Sequence, residues 1–166
     1  TYEVIDDVGI MKSEIGLLYL SDFNRKIIIK LLNERDLAFH PLIDCKAYVY
    51  MWRSHPLAEL PSVSLAQLAA YPCLSFEQGE NSSVYFAEEI LSENEYQRVI
   101  KAGDRATMLN LMVGLNGYTL CSGIISEELN GSDYVAVPFA ADDLNRNSVM
   151  EIGYITRKNV LLSEVG

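Results

Sequence analysis

The chain lacks the features that mark membrane-spanning and exported proteins. None of its apolar runs approaches the roughly 20 residues that a membrane-spanning helix needs. Its first residues include Glu3, Asp6 and Asp7, where a signal peptide would carry lysine or arginine. The sequence therefore predicts a cytoplasmic protein with no membrane partner.

Positive charge is scarce as well. Thirteen lysines and arginines stand against 23 aspartates and glutamates, which gives the chain a net charge of −10. Phosphate backbones repel such a chain because nonspecific nucleic-acid binding depends on lysine and arginine. We therefore expect no direct DNA binding by these 166 residues.

Cysteine and histidine are too few to form a recognisable catalytic or metal site. Cys45, Cys73 and Cys121 are an odd number without metal-like spacing, and their apolar neighbours predict buried, reduced thiols. His40 and His55 each precede a proline, which is typical of turns, and neither lies in a nucleophile motif. We predict no catalytic residue, no metal and no cofactor.

Four pairs of adjacent acidic residues offer the remaining candidate chemistry. On a helix, neighbouring side chains diverge by about 100°, so the two carboxylates of a pair do not converge on a metal. We interpret all of them as solvated faces: Asp6-Asp7, Glu88-Glu89, Glu127-Glu128 and Asp142-Asp143.

Apolar periodicity predicts alternating strands and helices. Short apolar runs predict strands at residues 14–20, 37–40, 47–52, 73–76, 98–101, 118–121, 134–138 and 150–157. Helices are expected near the N-terminus, from Asn24, from a capping box at Ser64 and Gln67, and at 83–91, 106–115 and 124–129. This alternation without hairpin signals predicts an α/β fold with mostly parallel sheets.

Two segments in the middle of the chain resemble a known family. Residues 48–58 form an extended apolar run that ends in an Arg-Ser-His-Pro turn. Residues 63–76 then give a short capped helix and a second apolar strand, which leads into the polar loop at 77–83. These features, and a helix that passes through glycine into a strand at 104–121, resemble the effector-binding domain of LysR-type transcriptional regulators.

The resemblance implies a two-lobed, Rossmann-like α/β domain of the type 2 periplasmic-binding-protein kind. It divides the chain into a first lobe, residues 1–52 plus 151–166, and a second lobe, residues 53–150. The segments 48–52 and 151–157 are the expected crossing strands. The family's winged-helix DNA-binding domain and the first strand and helix of its effector domain have no counterpart in the sequence, so we expect a fragment or a trimmed relative.

The resemblance also suggests where a ligand binds. Family members place effector contacts in the loop after the strand at 73–76 and at the end of the first-lobe strand, and parallel strands deliver such ends to a binding crevice. The predicted ligand-binding residues are Tyr19, Ser21, Phe76, Gln78, Gly79, Asn81, Ser82 and Ser83. Plainer alternatives are that Asn81 or Ser82 only caps the following helix and that Tyr19 belongs to the core.

The predicted function is the sensing of a small polar or anionic metabolite between two lobes of a transcription regulator. Contact with DNA is expected only through a missing winged-helix domain, and the full-length protein is expected to be a homodimer or tetramer. The helix at 83–91 carries more apolar surface than its own core needs, so we expect either a weakened dimer or a rearranged contact that hides Tyr85, Phe86 and Leu91. A solute-binding protein of a transport system is the alternative, and an enzyme on the same scaffold is a third possibility.

Overall fold

A computed structural model describes residues 1–79, 83–140 and 148–163. The helices are α1 Tyr2–Gly9, α2 Arg25–Glu34, α3 Leu65–Leu68, α4 Arg105–Leu115 and α5 Glu127–Asn130, and Val84–Phe86 form a 3-10 turn. The strands are β1 Ile15–Leu20, β2 Leu37–Lys46, β3 Tyr48–Trp52, β4 Cys73–Phe76, β5 Val99–Ala102, β6 Thr119–Cys121, β7 Tyr134–Pro138 and β8 Val149–Arg157.

The first lobe is built on an antiparallel sheet in the order β1-β8-β2. Helices α1 and α2 pack on one face of this sheet and bury a compact apolar cluster that includes Ile5, Ile28 and Leu32. Gly16 allows α1 to pack closely, since a Cβ there would lie 2.5 Å from Val4 Cγ1. The strand that brings the C-terminal part of the chain back to this lobe therefore lies in the middle of its sheet.

The second lobe contains an antiparallel sheet in the order β6-β3-β7 and a parallel pair of β4 with β5. An isolated parallel bridge between Cys73 and Tyr118 connects the two. Helix α4 covers one face, where Leu74, Met108 and Met112 are buried. The opposite face of β4 and β5 lies under residues 83–96, and this is where the candidate site is found.

The chain passes between the two sheets at two adjacent points. The Ala47 N–H donates to the Ser148 carbonyl oxygen at 2.8 Å, just after β2 and just before β8. Strand β3, predicted to cross between the lobes, lies inside the second sheet between β6 and β7. The lobe boundaries at 52/53 and 150/151 stay a prediction.

Helix boundaries that rest on capping residues are confirmed. Ser64 and Gln67 form the predicted capping box, in which each side chain accepts the other residue's backbone N–H. Asp104 accepts the Thr107 N–H at 2.8 Å at the start of α4. Asn116 ends that helix in the left-handed conformation at φ 50°.

Two expectations about elements are wrong. The sheets are mostly antiparallel, because β8 returns from the far end of the chain to pair with β1 and β2, and β3 pairs antiparallel with β6 and β7. These partners are far apart in sequence, so no hairpin turn joins them and none could indicate the antiparallel pairing. The helix predicted at 83–91 is only a 3-10 turn, because Ala87 adopts an extended conformation at ψ 144° and Leu91 has φ 60°. Tertiary contacts of this segment outweigh its helical pattern.

Candidate functional site

A cavity of about 170 Å³ lies in the second lobe, between the segment 83–96 and the face of β4 and β5 opposite α4. Strand β4 contributes Cys73 and Ser75, which alternate with Leu74 on the opposite face. The polar side chains of the lining are Ser75, Gln78, Ser83, Glu89, Ser92, Asn94, Tyr96 and Lys101. The cavity therefore combines amide and hydroxyl groups with one acid and one base.

Glu89 is the most unusual residue of this lining. It is only 8% exposed, and its Oε1 accepts the Phe76 backbone N–H at 2.7 Å. Burial raises the pKa of its carboxyl group above the ordinary value, because the charged form loses hydration. The expectation that the pair Glu88-Glu89 is a solvated face is right for Glu88 and wrong for Glu89.

The charge of Glu89 is not balanced by an ion pair within the described part of the chain. The salt bridges found there join other residues, in α1, α2 and β8. Lys101 lines the same cavity from β5, but it is exposed, and no salt bridge joins it to Glu89. Among the described residues, the carboxylate thus has Lys101 nearby, which favours its charged form, but no cation in salt-bridge contact.

Gln78 and Ser83, two of the predicted ligand-binding residues, line the cavity, although each also has a structural partner. With its amide oriented to satisfy both neighbours, Gln78 donates to the Ser83 carbonyl oxygen at 3.1 Å and accepts the Ala87 N–H at 3.2 Å. Ser83 Oγ accepts the Tyr85 N–H at 3.4 Å, which caps the 3-10 turn. Gln78 therefore holds the segment above the cavity in place.

The remaining predicted loop residues have different outcomes. Phe76 lines the cavity and supplies the N–H that Glu89 accepts. Gly79 has φ 61°, and a Cβ there would meet no atom within 4 Å, so glycine provides a left-handed backbone rather than a close approach. Asn81 and Ser82 lie outside the described residues.

Tyr19 and Ser21, predicted from the first lobe, do not line this cavity. Tyr19 instead reaches its outer wall, where the hydroxyl donates to the Glu89 carbonyl oxygen at 3.0 Å. Burial raises the pKa of that phenol. Ser21 is buried, and its N–H donates to Asn24 Oδ1 at 2.8 Å, so it shapes the turn after β1.

Aromatic side chains also connect the segment 83–96 to the first lobe. Phe23 and Tyr85 stack with ring centroids 4.7 Å apart, and Phe86 meets Tyr2 edge-on at 5.4 Å. Phe86 also packs against the first-lobe core, and Leu91 is buried. Tyr85, Phe86 and Leu91 are therefore partly or fully buried within one chain, and the weakened dimer or rearranged contact stays a prediction.

His55 has a structural role, as predicted for a turn residue. Its Nδ1 accepts the Leu57 N–H at 3.1 Å and its Nε2 lies 3.0 Å from the Asn116 carbonyl oxygen, which fits a neutral ring that donates from Nε2. Burial lowers its pKa. His55 thereby joins the turn after β3 to the end of α4.

Other features of the described residues offer weaker candidates for a site. A larger space of about 790 Å³ is an open groove whose lining comes from α2 and the turn before it, so it encloses no ligand. Residues 1–79, 83–140 and 148–163 contain no group of three His, Cys, Asp or Glu side chains that could hold a metal ion. Within the same ranges, no helix has the length and apolarity required to cross a membrane.

A family model matches most of the chain. The family described as LysR substrate binding domain matches residues 25–165. None of the curated proteins matches the chain.

Solved structures share the fold at low sequence identity. The effector-binding domain of QuiR in complex with shikimate has a TM-score of 0.64 and 19% identity, over 99% of this chain and 71% of that one. HinK, a LysR family transcriptional regulator from Pseudomonas aeruginosa, has a TM-score of 0.62 and 17% identity, over 99% and 52%. The PA01 protein, described as a LysR family transcriptional regulator from the same organism, has a TM-score of 0.63 and 14% identity, over 99% of this chain and 53% of that one. This chain therefore spans about half the length of HinK and of the PA01 protein.

Proposed function

The chain belongs to the LysR substrate-binding domain family, and we propose on that basis that it senses a small-molecule effector in the cavity beneath residues 83–96. One observation carries the proposal. The segment that encloses the cavity is the same segment that contacts the first lobe through Tyr19, Tyr85 and Phe86. A ligand that contacts Glu89 in the cavity would thus touch the residue whose carbonyl oxygen accepts the interlobe hydrogen bond from Tyr19.

Glu89 connects the cavity to the first lobe. Its side chain faces the cavity, while its backbone carbonyl oxygen accepts the Tyr19 hydroxyl of the first lobe. A ligand that draws the carboxylate inward would move this carbonyl and change the interlobe contact. Effector binding would then favour one arrangement of the lobes because it has a different affinity for each.

In the intact regulator, this change would reach DNA through a separate domain. We propose that a winged-helix domain makes the DNA contacts and that the regulator works in the cytoplasm as a dimer or tetramer, since LysR regulators function as oligomers. The module would perform no chemistry of its own. The effector-binding function takes precedence over transport because the family and the structural neighbours are regulators.

The three cysteines support effector binding rather than redox sensing. Burial raises the pKa of each thiol, to about 12 for Cys73, and holds Cys45 and Cys121 above their ordinary value as well. A redox sensor needs an accessible thiolate, which these surroundings disfavour.

Thermal-shift screening with organic acids, sugars and amino acids tests the proposed site. Hits should be confirmed by calorimetry on the parent chain, on Gln78→Ala and on Gln97→Ala, an exposed glutamine that serves as the matched control. We expect at least about tenfold weaker binding for Gln78→Ala, because the segment above the cavity loses its anchor. Equal affinity for all three proteins would place the site elsewhere.

A further inference from the structure

We infer that the effector carries a protonated amino group that pairs with Glu89, and that it is a compound of the amino-acid type. This inference rests on the proposed function and names the ligand class of the same cavity. It departs from the expectation of an anionic metabolite, because the predicted site residues included no acidic side chain.

The position of Glu89 is difficult to explain by folding alone. Removing a carboxylate from water costs several kcal/mol in general unless a cation or sufficient hydrogen bonds replace the lost hydration. The Glu89 carboxylate is held by the backbone N–H groups of Phe76 and of Glu89 itself, and a glutamine amide oxygen could accept from backbone N–H groups without a charge. The fold therefore needs an acceptor at this position but does not need an anion.

Among the described residues, no cationic side chain is in contact with Glu89. No salt bridge there reaches Glu89, and Lys101, exposed at the cavity wall, favours its charged form only from beyond contact distance. A bound ammonium group would place a cation in direct contact and could donate to the carboxylate oxygens. A ligand with only a carboxylate would instead face like charge in a buried site.

Lys101 indicates that the ligand also carries a negative charge. This side chain borders the same cavity of about 170 Å³, which has room for a small organic molecule and not only for a single water. An acid and a base on one cavity wall match a molecule that carries both an ammonium and a carboxylate group. Ser75 and Ser92 add hydroxyl groups to the lining, and each can donate a hydrogen bond to the ligand or accept one from it.

Calorimetric titration of a matched panel tests this charge assignment. The panel contains the proteinogenic amino acids, the matching amines that lack the carboxylate group, and the matching carboxylic acids that lack the amino group. Three proteins are compared: the parent, Glu89→Gln and Glu88→Gln. The last is the matched control, because Glu88 is exposed and its substitution removes the same charge one residue away.

We expect amino acids and some amines to bind the parent and Glu88→Gln, with affinity reduced about thirtyfold or more in Glu89→Gln, as for loss of one partner of a buried ion pair. Binding of the carboxylic acids alone, with equal affinity for Glu89→Gln, would overturn the inference and leave the proposed function standing. The inference is also overturned if no member of the panel binds the parent, and the wider metabolite screen then decides the proposed function separately.

Discussion

A buried carboxylate destabilises a folded protein when it is charged, so Glu89 should make stability depend on pH. Its folded-state pKa is raised above 4.5 by burial, so below that pH the group is protonated in both states and imposes no penalty. Between 4.5 and the folded pKa, the native state holds a proton that the unfolded state has lost, so the free energy of unfolding falls as pH rises through this window and levels off above it. We expect Glu89→Gln to be more stable than the parent at pH 7 and equal to it near pH 4.

Urea denaturation of the parent, Glu89→Gln and Glu88→Gln between pH 4 and pH 8 measures this difference. Glu88→Gln should follow the parent throughout, since Glu88 is exposed. A Glu89→Gln protein that is less stable than the parent at pH 7 would show that the charge supports the fold. A gain in stability with a loss of binding is the usual mark of a residue kept for function.

The roles of some individual side chains could be predicted from the sequence, and those of others could not. His55 was predictable as a turn residue because it precedes Pro56 at the end of an apolar strand. The burial of Glu89 was not predicted because two adjacent acids are typical of a solvated face, whereas Ala87, Ile90 and Leu91 next to the pair are all buried. The available signal was an acidic pair with apolar residues directly before and after it.

Among the elements, the segment 83–96 of the second lobe packs against the first lobe. Phe86 packs edge-on against Tyr2 and against the first-lobe core, whereas Val84 in the same 3-10 turn is 49% exposed. We expect Phe86→Ala to lower the free energy of unfolding by about 2 kcal/mol, because part of an aromatic side chain leaves the core. Val84→Ala should change it by no more than about 0.5 kcal/mol.

Hydrogen exchange distinguishes a local effect from a general one in these two variants. In Phe86→Ala, amides of α1 should exchange faster, since Tyr2 and the neighbouring core lose a contact, while α4 should keep its protection. If both helices lose protection equally, the segment supports the whole fold and not the interlobe contact in particular. Val84→Ala should leave both helices unchanged.

Helices with local boundary signals were predictable, while the segment at the site was not. The Asp104 cap and the Asn116 stop define α4 through contacts within a few residues, so the sequence itself holds this information. The turn at Val84–Phe86 packs against the rings of Tyr2 and Phe23, and both are distant in sequence. Periodicity has no means of detecting such partners.

At the scale of the whole molecule, the resemblance gave the two-lobed architecture, but the sequence did not give the strand order. The family signature at residues 48–76 is local and is confirmed by the match over 25–165. The position of β8 between β1 and β2 depends on pairing across more than 100 residues. The predicted homodimer or tetramer stays a prediction for the same reason, since it depends on contacts outside one chain.

The net charge of −10 leads to a prediction about DNA for the chain as a whole. Affinity for a duplex comes largely from lysines and arginines that displace counterions, and it falls steeply with salt in proportion to their number. Some of these side chains are already paired with carboxylates, as Arg25 is with Glu151 at 2.8 Å and Arg35 with Asp6 at 2.6 Å. We therefore expect no sequence-specific binding by the 166-residue chain and no measurable salt dependence.

Fluorescence anisotropy with labelled duplexes at 50 and 200 mM salt tests this expectation. The matched control is the same chain with Asp7→Lys and Glu34→Lys, two first-lobe changes that reduce the negative charge by four while leaving the second-lobe cavity untouched. Weak binding by that variant, lost at 200 mM salt, would show that the assay detects purely electrostatic contacts. Specific, salt-sensitive binding by the parent would instead locate a DNA-reading surface in this chain and remove the need for a separate DNA-binding domain.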